Sequence, residues 1–353
     1  MLAATAAARY NPRMRRPTRL AVIVVVLPLL VIGAYSAFWF VAASRVESGV
    51  ADWAQSLQPQ NLDLTWRAIR VGGFPFDFTV KLTDARLRDR AVVPVTEITA
   101  PNLTASARPW NFLIWRVTAP SGLSAAVGPP DEVAKLTARS AQASITVQSE
   151  GGGRMWLRAG EVEAEAGMRI AAHDVDLWLD LPAHNPQDHT EPALGAALDV
   201  HGVNLPTMPA PFRNPLDELS LGVTIMGPVP AAPPRQAAMA WRDAGGTLEL
   251  DHFAMRWETL AITGSGTLAL DADLQPIGGF SGAVEGYEEL MAALVAAGRM
   301  RAGDAQLARL ALAILAKAGP NGRPEISTSF TIQNRQMYLG PARLGPVPRI
   351  DWR

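Results

Sequence analysis

Among the five histidines of this chain, only His184 and His189, with Asp188 between them, stand close enough in sequence to share a ligand or a proton. Two imidazoles beside a carboxylate form the donor set of a metal site, and such sites rest on rigid elements with supporting hydrogen bonds. Residues 182–192 read PAHNPQDHTEP, a Pro- and Asn-rich stretch that predicts a solvated loop instead. The carboxylates repeat with period two: Glu161, Glu163 and Glu165, then Asp174, Asp176 and Asp180. That spacing places each set on the solvent face of a strand and gives no general acid/base pair. Asp271 and Asp273 lack the further oxygen ligands of a calcium loop and predict a turn. With no cysteine, disulfides, zinc–thiolate sites and thiol nucleophiles are excluded together.

No HExxH, GxSxG or Walker pattern occurs, and Gly151-Gly152-Gly153 and Gly264-Ser265-Gly266 read as turns between strands. The expectation is a non-enzymatic protein with no catalytic residue, cofactor or metal. A net charge of −1 with mixed signs also argues against a nucleic-acid surface.

The elements that carry these residues are set by a different signal. From Leu20 through Val25, Leu29, Tyr35 and Trp39 to Ala43 no charged residue occurs. At about 1.5 Å per residue that run crosses the roughly 30 Å hydrocarbon core of a bilayer. Arg9, Arg13, Arg15, Arg16 and Arg19 precede it, so the positive-inside bias keeps the N-terminus in the cytoplasm and exports the remainder. Val41-Ala42-Ala43 would satisfy a signal-peptidase rule, but the run exceeds the roughly 7–15 apolar residues of a signal peptide. Trp39 and Tyr35 lie near its exported end, where amphipathic rings favour the interface. The division expected is a basic tail (1–19), a transmembrane helix (20–43), a helical spacer (44–60) and an exported domain (61–353). In the spacer, Val46, Val50, Trp53 and Leu57 recur at helical spacing before Pro59.

After residue 61 the period becomes two, clearest in Phe76-Asp77-Phe78-Thr79-Val80-Lys81-Leu82-Thr83. Strands with turns between them predict an antiparallel sheet with one apolar face. Ile98-Thr-Ala-Pro101 and Val117-Thr-Ala-Pro120 read as one device used twice, a strand ending in a Pro turn. The Pro-rich residues 228–234 are the most plausible internal boundary, with one continuous sheet crossing them as the equal alternative. A helical hairpin is expected late, at residues 287–297 and 304–317, with Asp304 as the second cap. Its stripe of Leu290, Leu294, Leu307, Leu310 and Ile314 would cover the sheet or line a groove. The fold class is therefore mainly β with α: one transmembrane helix, then a curved antiparallel sheet covered by a late hairpin.

Trp66 with Gly72-Gly73-Phe74-Pro75, Trp241-Arg-Asp-Ala-Gly245-Gly246-Thr-Leu, Gly264-Ser-Gly-Thr-Leu-Ala-Leu-Asp271 with Leu274-Gln-Pro276, and the ending Leu339-Gly340-Pro341 with Pro348 and Trp352 follow one another in a recognisable order. In these the chain resembles the domain of unknown function 2125 (DUF2125) family of Gram-negative envelope proteins. More distantly it is similar to the AsmA-like envelope proteins. That second resemblance implies an inner-membrane protein with its bulk in the periplasm, acting on phospholipid or in envelope assembly. The partners expected are the membrane, phospholipid and other envelope proteins, the last gripped by sheet-edge pairing in the alternative reading of a scaffold. A hydrolase using scattered carboxylates stands third.

Overall fold

The computed structural model describes residues 18–89, 95–128, 133–207, 211–213, 215–319, 322–339 and 342–352. The expected basic tail lies outside these up to residue 17. Helix α1 (Thr18–Leu57) carries the apolar run and the spacer without a break, with Leu20 and Val25 in its first two turns and Pro28 inside it. From Leu27 onward it is long and apolar enough to cross a membrane.

The sheet is a meander in which nearly every strand pairs with its neighbour in sequence. β1 (Leu62–Thr65) and β2 (Ala68–Gly72) pair with the two halves of β3 (Phe78–Asp89). β3 pairs with β4 (Val95–Arg108), whose far side is shared by β5 (Asn111–Ala119) and β6 (Leu123–Gly128). Both then pair with β7 (Ala134–Val147). β8 (Gly153–Ala166), β9 (Met168–Leu181), β10 (Pro192–Val203) and β11 (Leu216–Met226) follow in order. Helix α2 (Pro234–Asp243) leads to β12 (Thr247–Trp257), β13 (Leu260–Leu270) and β14 (Pro276–Glu285). After α3 (Tyr287–Ala296) and α4 (Ala302–Leu315) come β15 (Lys317–Ala318), β16 (Pro324–Gln333), β17 (Gln336–Leu339) and β18 (Ala342–Pro346). The eighteen strands among the described residues belong to one antiparallel sheet. It runs straight across residues 228–234, since β11 and β12 on either side pair directly.

The α1 stripe that meets the sheet is Trp39, Ala43, Val46, Val50 and Ala54, recurring every three to four residues. Its partners are Phe78, Val80 and Leu82, the alternate residues of β3. Trp39 and Phe78 meet at one end of this contact and Val50 packs beside Val80, Leu82 and Ala85 further on, so the helix and β3 run side by side. Trp53, expected on this stripe, is exposed. On β3 the buried set passes from even to odd numbers at Ala85, next to Asp84 with its φ of 51°, while the register with β4 is kept on both sides.

Three local expectations are corrected. Pro101 does not end a strand but lies inside β4, at the gap between the stretch paired with β6 and the stretch paired with β5. A proline lacks the N–H that a ladder would use, so the gap is where it fits. Gly264 and Gly266 likewise are not a turn but the middle of β13. A Cβ on Gly266 would come within 2.4 Å of the Phe280 ring, which lies over it from β14. Finally, α4 starts at Ala302 with no side-chain cap, and Asp304 sits in its first turn, where a carboxylate favours the helix dipole.

Helix α2 has no forerunner in the sequence reading, because a short helix entered through Pro228–Pro234 reads as loop. It buries Ala238 and Trp241 against Leu270 and Leu274, with Ile225, Leu248 and Trp352 around them.

Candidate functional site

Directly paired residues of an antiparallel sheet share a face, so the registers trace rows of side chains across it. One row runs Val80, Ala105, Val117, Ala143, Leu157, Leu177, Leu198, Leu221 and Phe253, from β3 to β12. The next row on that face runs Trp115, Ile145, Met155, Leu179, Ala196, Val223, Leu250, Gly266, Phe280, Phe330 and Leu339, from β5 to β17. Every position in both rows is apolar, or is the glycine that Phe280 covers. At roughly 4.8 Å per strand the face extends about 50 Å.

Only the first position, Val80, is core, since α1 lies on it. From Val117 and Trp115 onward both rows are half-buried throughout. A sheet face that forms a packed interior would be buried along its length; this one is walled and open. Among the described residues, helices close it only at its margins. Trp241 of α2, whose Nε1 donates to the Met226 carbonyl at 2.8 Å, sits at the end where β11 finishes and β12 begins. α3 packs at the opposite end of β13, where Leu260, Tyr287 and Met291 are buried.

The reverse face carries the charged side chains. Its row Gln142, Arg158, Asp176, Asp199, Ser220, Ala254, Thr263 runs beside the first apolar row. Arg158 donates to both carboxylate oxygens of Asp176 at 2.7 and 3.0 Å, Arg154 pairs with Asp180 and Arg169 with Glu163. These hydrogen bonds raise the pKa values of Arg158 and Arg169 above the ordinary guanidinium range. The acidic rows thus serve as cross-strand ion pairs, and Asp176, expected to face solvent, is buried beneath Arg158. A shallow hollow on this face is lined by Trp156, Trp178, Gly195, Ala197, Gly222 and His252.

The histidines stay apart. His173 bonds Asp174 at 2.7 Å and lies 3.5 Å from Glu161, so its pKa is raised, first by the hydrogen bond and then by the two charges. His252 meets Ser220 at 3.0 Å. Asp188 accepts from the backbone N–H and hydroxyl of Thr190, which lower its pKa and make the 182–192 loop a self-contained turn. Among the described residues no group of three or more His, Asp or Glu is arranged to hold a metal ion. Asp271 caps its own turn by accepting from the N–H groups of Asp273 and Gln275.

At the α1 end of the apolar face aromatic rings form a collar. Phe74 stacks on Phe40 with centroids 5.8 Å apart and meets Trp39 edge-on at 5.4 Å. Trp39 stacks on Phe78, Phe78 on Phe112, and Phe112 leans on Trp115, the first residue of the second apolar row. The Tyr35 hydroxyl donates to the Pro75 carbonyl. Beyond these, Phe76 and Trp110 are 69% and 64% exposed, with Leu113 also in solvent.

Of the residues expected to span the membrane, Leu29 is exposed, whereas Trp39 and Ala43 are buried against the sheet, 3% and 8% exposed. Trp39 is therefore a docking residue of α1 on the sheet. In the late hairpin, Leu290 and Leu294 are half-buried, but Leu307, Leu310 and Ile314 are exposed and cover nothing. Among the described residues of α4 Ala305 is buried, and Arg309 ties α4 to the Glu288 carbonyl of α3. Tyr287 and Met291 do the covering, and the alternation of small and large residues in α4 hid this.

Fold and site together define a class: a long antiparallel meander, apolar and open on one face, docked edge-on to a single long apolar helix. The chain belongs to the DUF2125 family, described as an uncharacterized protein conserved in bacteria, whose model matches residues 39–348. The match opens at Trp39, the residue where α1 meets Phe78. Neither the curated proteins nor the solved structures contain a match.

Proposed function

We propose that this protein is a non-enzymatic, membrane-anchored lipid-handling protein that shelters phospholipid acyl chains along its open apolar face. The single observation that carries this reading is the pair of unbroken apolar rows, half-buried from β5 to β12 in one and from β5 to β17 in the other. Apolar surface of that extent is unfavourable in water at roughly 25 cal/mol per Å², and a bound acyl chain removes that cost. The charged groups of the opposite face are engaged in pairs such as Arg158 with Asp176, which supports a structural role for them. α1 anchors the sheet in the inner membrane with the arginine-rich tail in the cytoplasm and the sheet in the periplasm. The resemblance to AsmA-like envelope proteins supports the same assignment.

A scaffold that grips other envelope proteins by sheet-edge pairing is less well supported. β18 is short and carries Arg343 and Pro346, features that discourage strand addition, and the β1–β2 edge lies against α1.

The test is photocrosslinking in the full chain, in cells, with benzoylphenylalanine at Leu221 or Phe253 and, as control, at Thr263 on the polar face. Phospholipid adducts at the first two positions and none at the third are expected. Adducts only to protein at Leu221 and Phe253, or lipid adducts equally at Thr263, would overturn the reading.

A further inference from the structure

We infer that the aromatic collar is itself immersed in the bilayer, so that the two turns bearing Phe74, Phe76 and Trp110 enter the leaflet on the sheet's side and open the apolar face directly to lipid. This rests on the reading of α1 as a membrane-spanning helix and goes beyond it, because it places part of the sheet inside the membrane.

The depth follows from α1 used as a ruler. Phe74 contacts Tyr35, with centroids 6.4 Å apart, and also Phe40, while Pro75 accepts from the Tyr35 hydroxyl. The apolar run continues past these residues to Ala43, and its first charge is Arg45. Tyr35 therefore lies about 15 Å before that charge along the helix, and Phe40 about 7 Å before it. The turn at Phe74–Phe76 is thus fixed beside a part of α1 that belongs in hydrocarbon or at its boundary. In water, its rings would be an unusual exposed cluster, together with Phe38 and Phe40 of the helix. Trp110, on the turn between β4 and β5, extends the patch one strand further, and Arg108 lies 5.8 Å over its indole. An indole with a cation at its face is the pairing that suits the headgroup level.

The collar is continuous with the face behind it. From Phe74 the rings lead through Trp39, Phe78 and Phe112 to Trp115, and Trp115 begins a row that reaches Leu339. The buried Trp39 and Phe78 form the floor beneath the exposed Phe74 and Phe112, and Phe112 carries the apolar surface on to Trp115.

Because the chain has no cysteine, single labels are direct. The full chain in phospholipid nanodiscs would carry a nitrobenzoxadiazole probe at Phe76→Cys, Trp110→Cys, Val31→Cys or Thr263→Cys, with quenching by nitroxide-labelled phosphatidylcholine. Quenching at Phe76 and Trp110 in the range of Val31, and several-fold above Thr263, is expected. Val31 quenched with Phe76 and Trp110 at the Thr263 level would overturn the inference and leave the membrane-spanning helix intact. Val31 unquenched would overturn both. Phe76 and Trp110 are exposed, so substitution at either leaves the packed residues untouched, and the two positions report independently.

Discussion

The indole of Trp39 lies face to face with the ring of Phe78, 5.2 Å between centroids and 12° from parallel. Phe78 is wholly buried, and the Trp39 Nε1 is buried with no hydrogen-bond partner among the described residues. The stack joins the one long helix to the first long strand, so its loss should separate them. Trp39→Ala is expected to destabilise that junction by about 3–5 kcal/mol through the cavity it leaves. Trp39→Phe should cost much less, since it keeps a ring on Phe78 and removes an unpaired N–H. Hydrogen exchange of β3 in the full chain, with a denaturant series, reads both; equal losses for the two variants would refute the stacking account.

Gly286 and Gly298 separate conformation from space. Both have positive φ, 77° and 67°, but a Cβ on Gly286 would lie 1.9 Å from the Thr259 carbonyl oxygen while Gly298 has nothing within 4 Å. Gly298→Ala is expected to cost about 1 kcal/mol, the conformational penalty alone. Gly286→Ala must also displace the β12–β13 turn, and its loss should be clearly larger in the same thermal or denaturant melt.

Gln275, buried in the turn between β13 and β14, holds the C-terminus by accepting from the Ile350 N–H at 2.9 Å and donating to its carbonyl at 3.1 Å. Trp352 adds a bond from its Nε1 to the Leu274 carbonyl. Gln275→Ala should cost about 1–3 kcal/mol and release residues 347–352. Faster hydrogen exchange there, with β8 and β9 unchanged, is the expected pattern.

The exposed stripe of α4 gives the contrasting case. Leu310→Ser and Ile314→Ser should change stability by no more than about 0.5 kcal/mol, because neither side chain packs on the sheet. Met291→Ala in α3 should cost about 2–5 kcal/mol. Reversal of that order would restore α4 as the cover.

His173 makes stability depend on pH with a defined sign. Its pKa is raised above the ordinary 6.5 by Asp174 and then Glu161. A raised value means the folded state holds the proton more tightly, so the contribution is complete below about pH 6.5 and is lost as pH rises through the folded value. His173→Gln should flatten the stability profile on that alkaline limb and leave the acid limb unchanged. An unaltered limb above pH 6.5 would exclude the linkage.

The helix, the strand grammar and the late hairpin were all legible in the sequence, because each is a local period: 3.6 in the run to Ala43 and two from Phe76 to Thr83. The carboxylate rows were legible as strand faces too, but their ion pairs were not. Pairing Arg158 with Asp176 requires the β8–β9 register, which single-strand spacing does not contain. The open apolar face was harder still. Leu157 and Leu221 look like any alternating core residue, and only the absence of a layer over them distinguishes a trough from an interior. Pro101 and Gly266 misled for a shared reason, since each is a breaker by propensity that a neighbour makes tolerable: the gap between β5 and β6 in one case, the Phe280 ring in the other.

The meander has a consequence for how the chain matures. Each new strand from β7 to β14 finds its partner in the strand just completed, so contacts remain close in sequence and loop-closure entropy stays small at every addition. The first long strand has a ready template in α1, which precedes it and already presents Trp39 and Val46. The sheet can therefore grow by zippering from its tethered edge outward, in the order in which the polypeptide emerges. The strands after β14 and the Gln275 latch on Ile350 are then late steps of that growth.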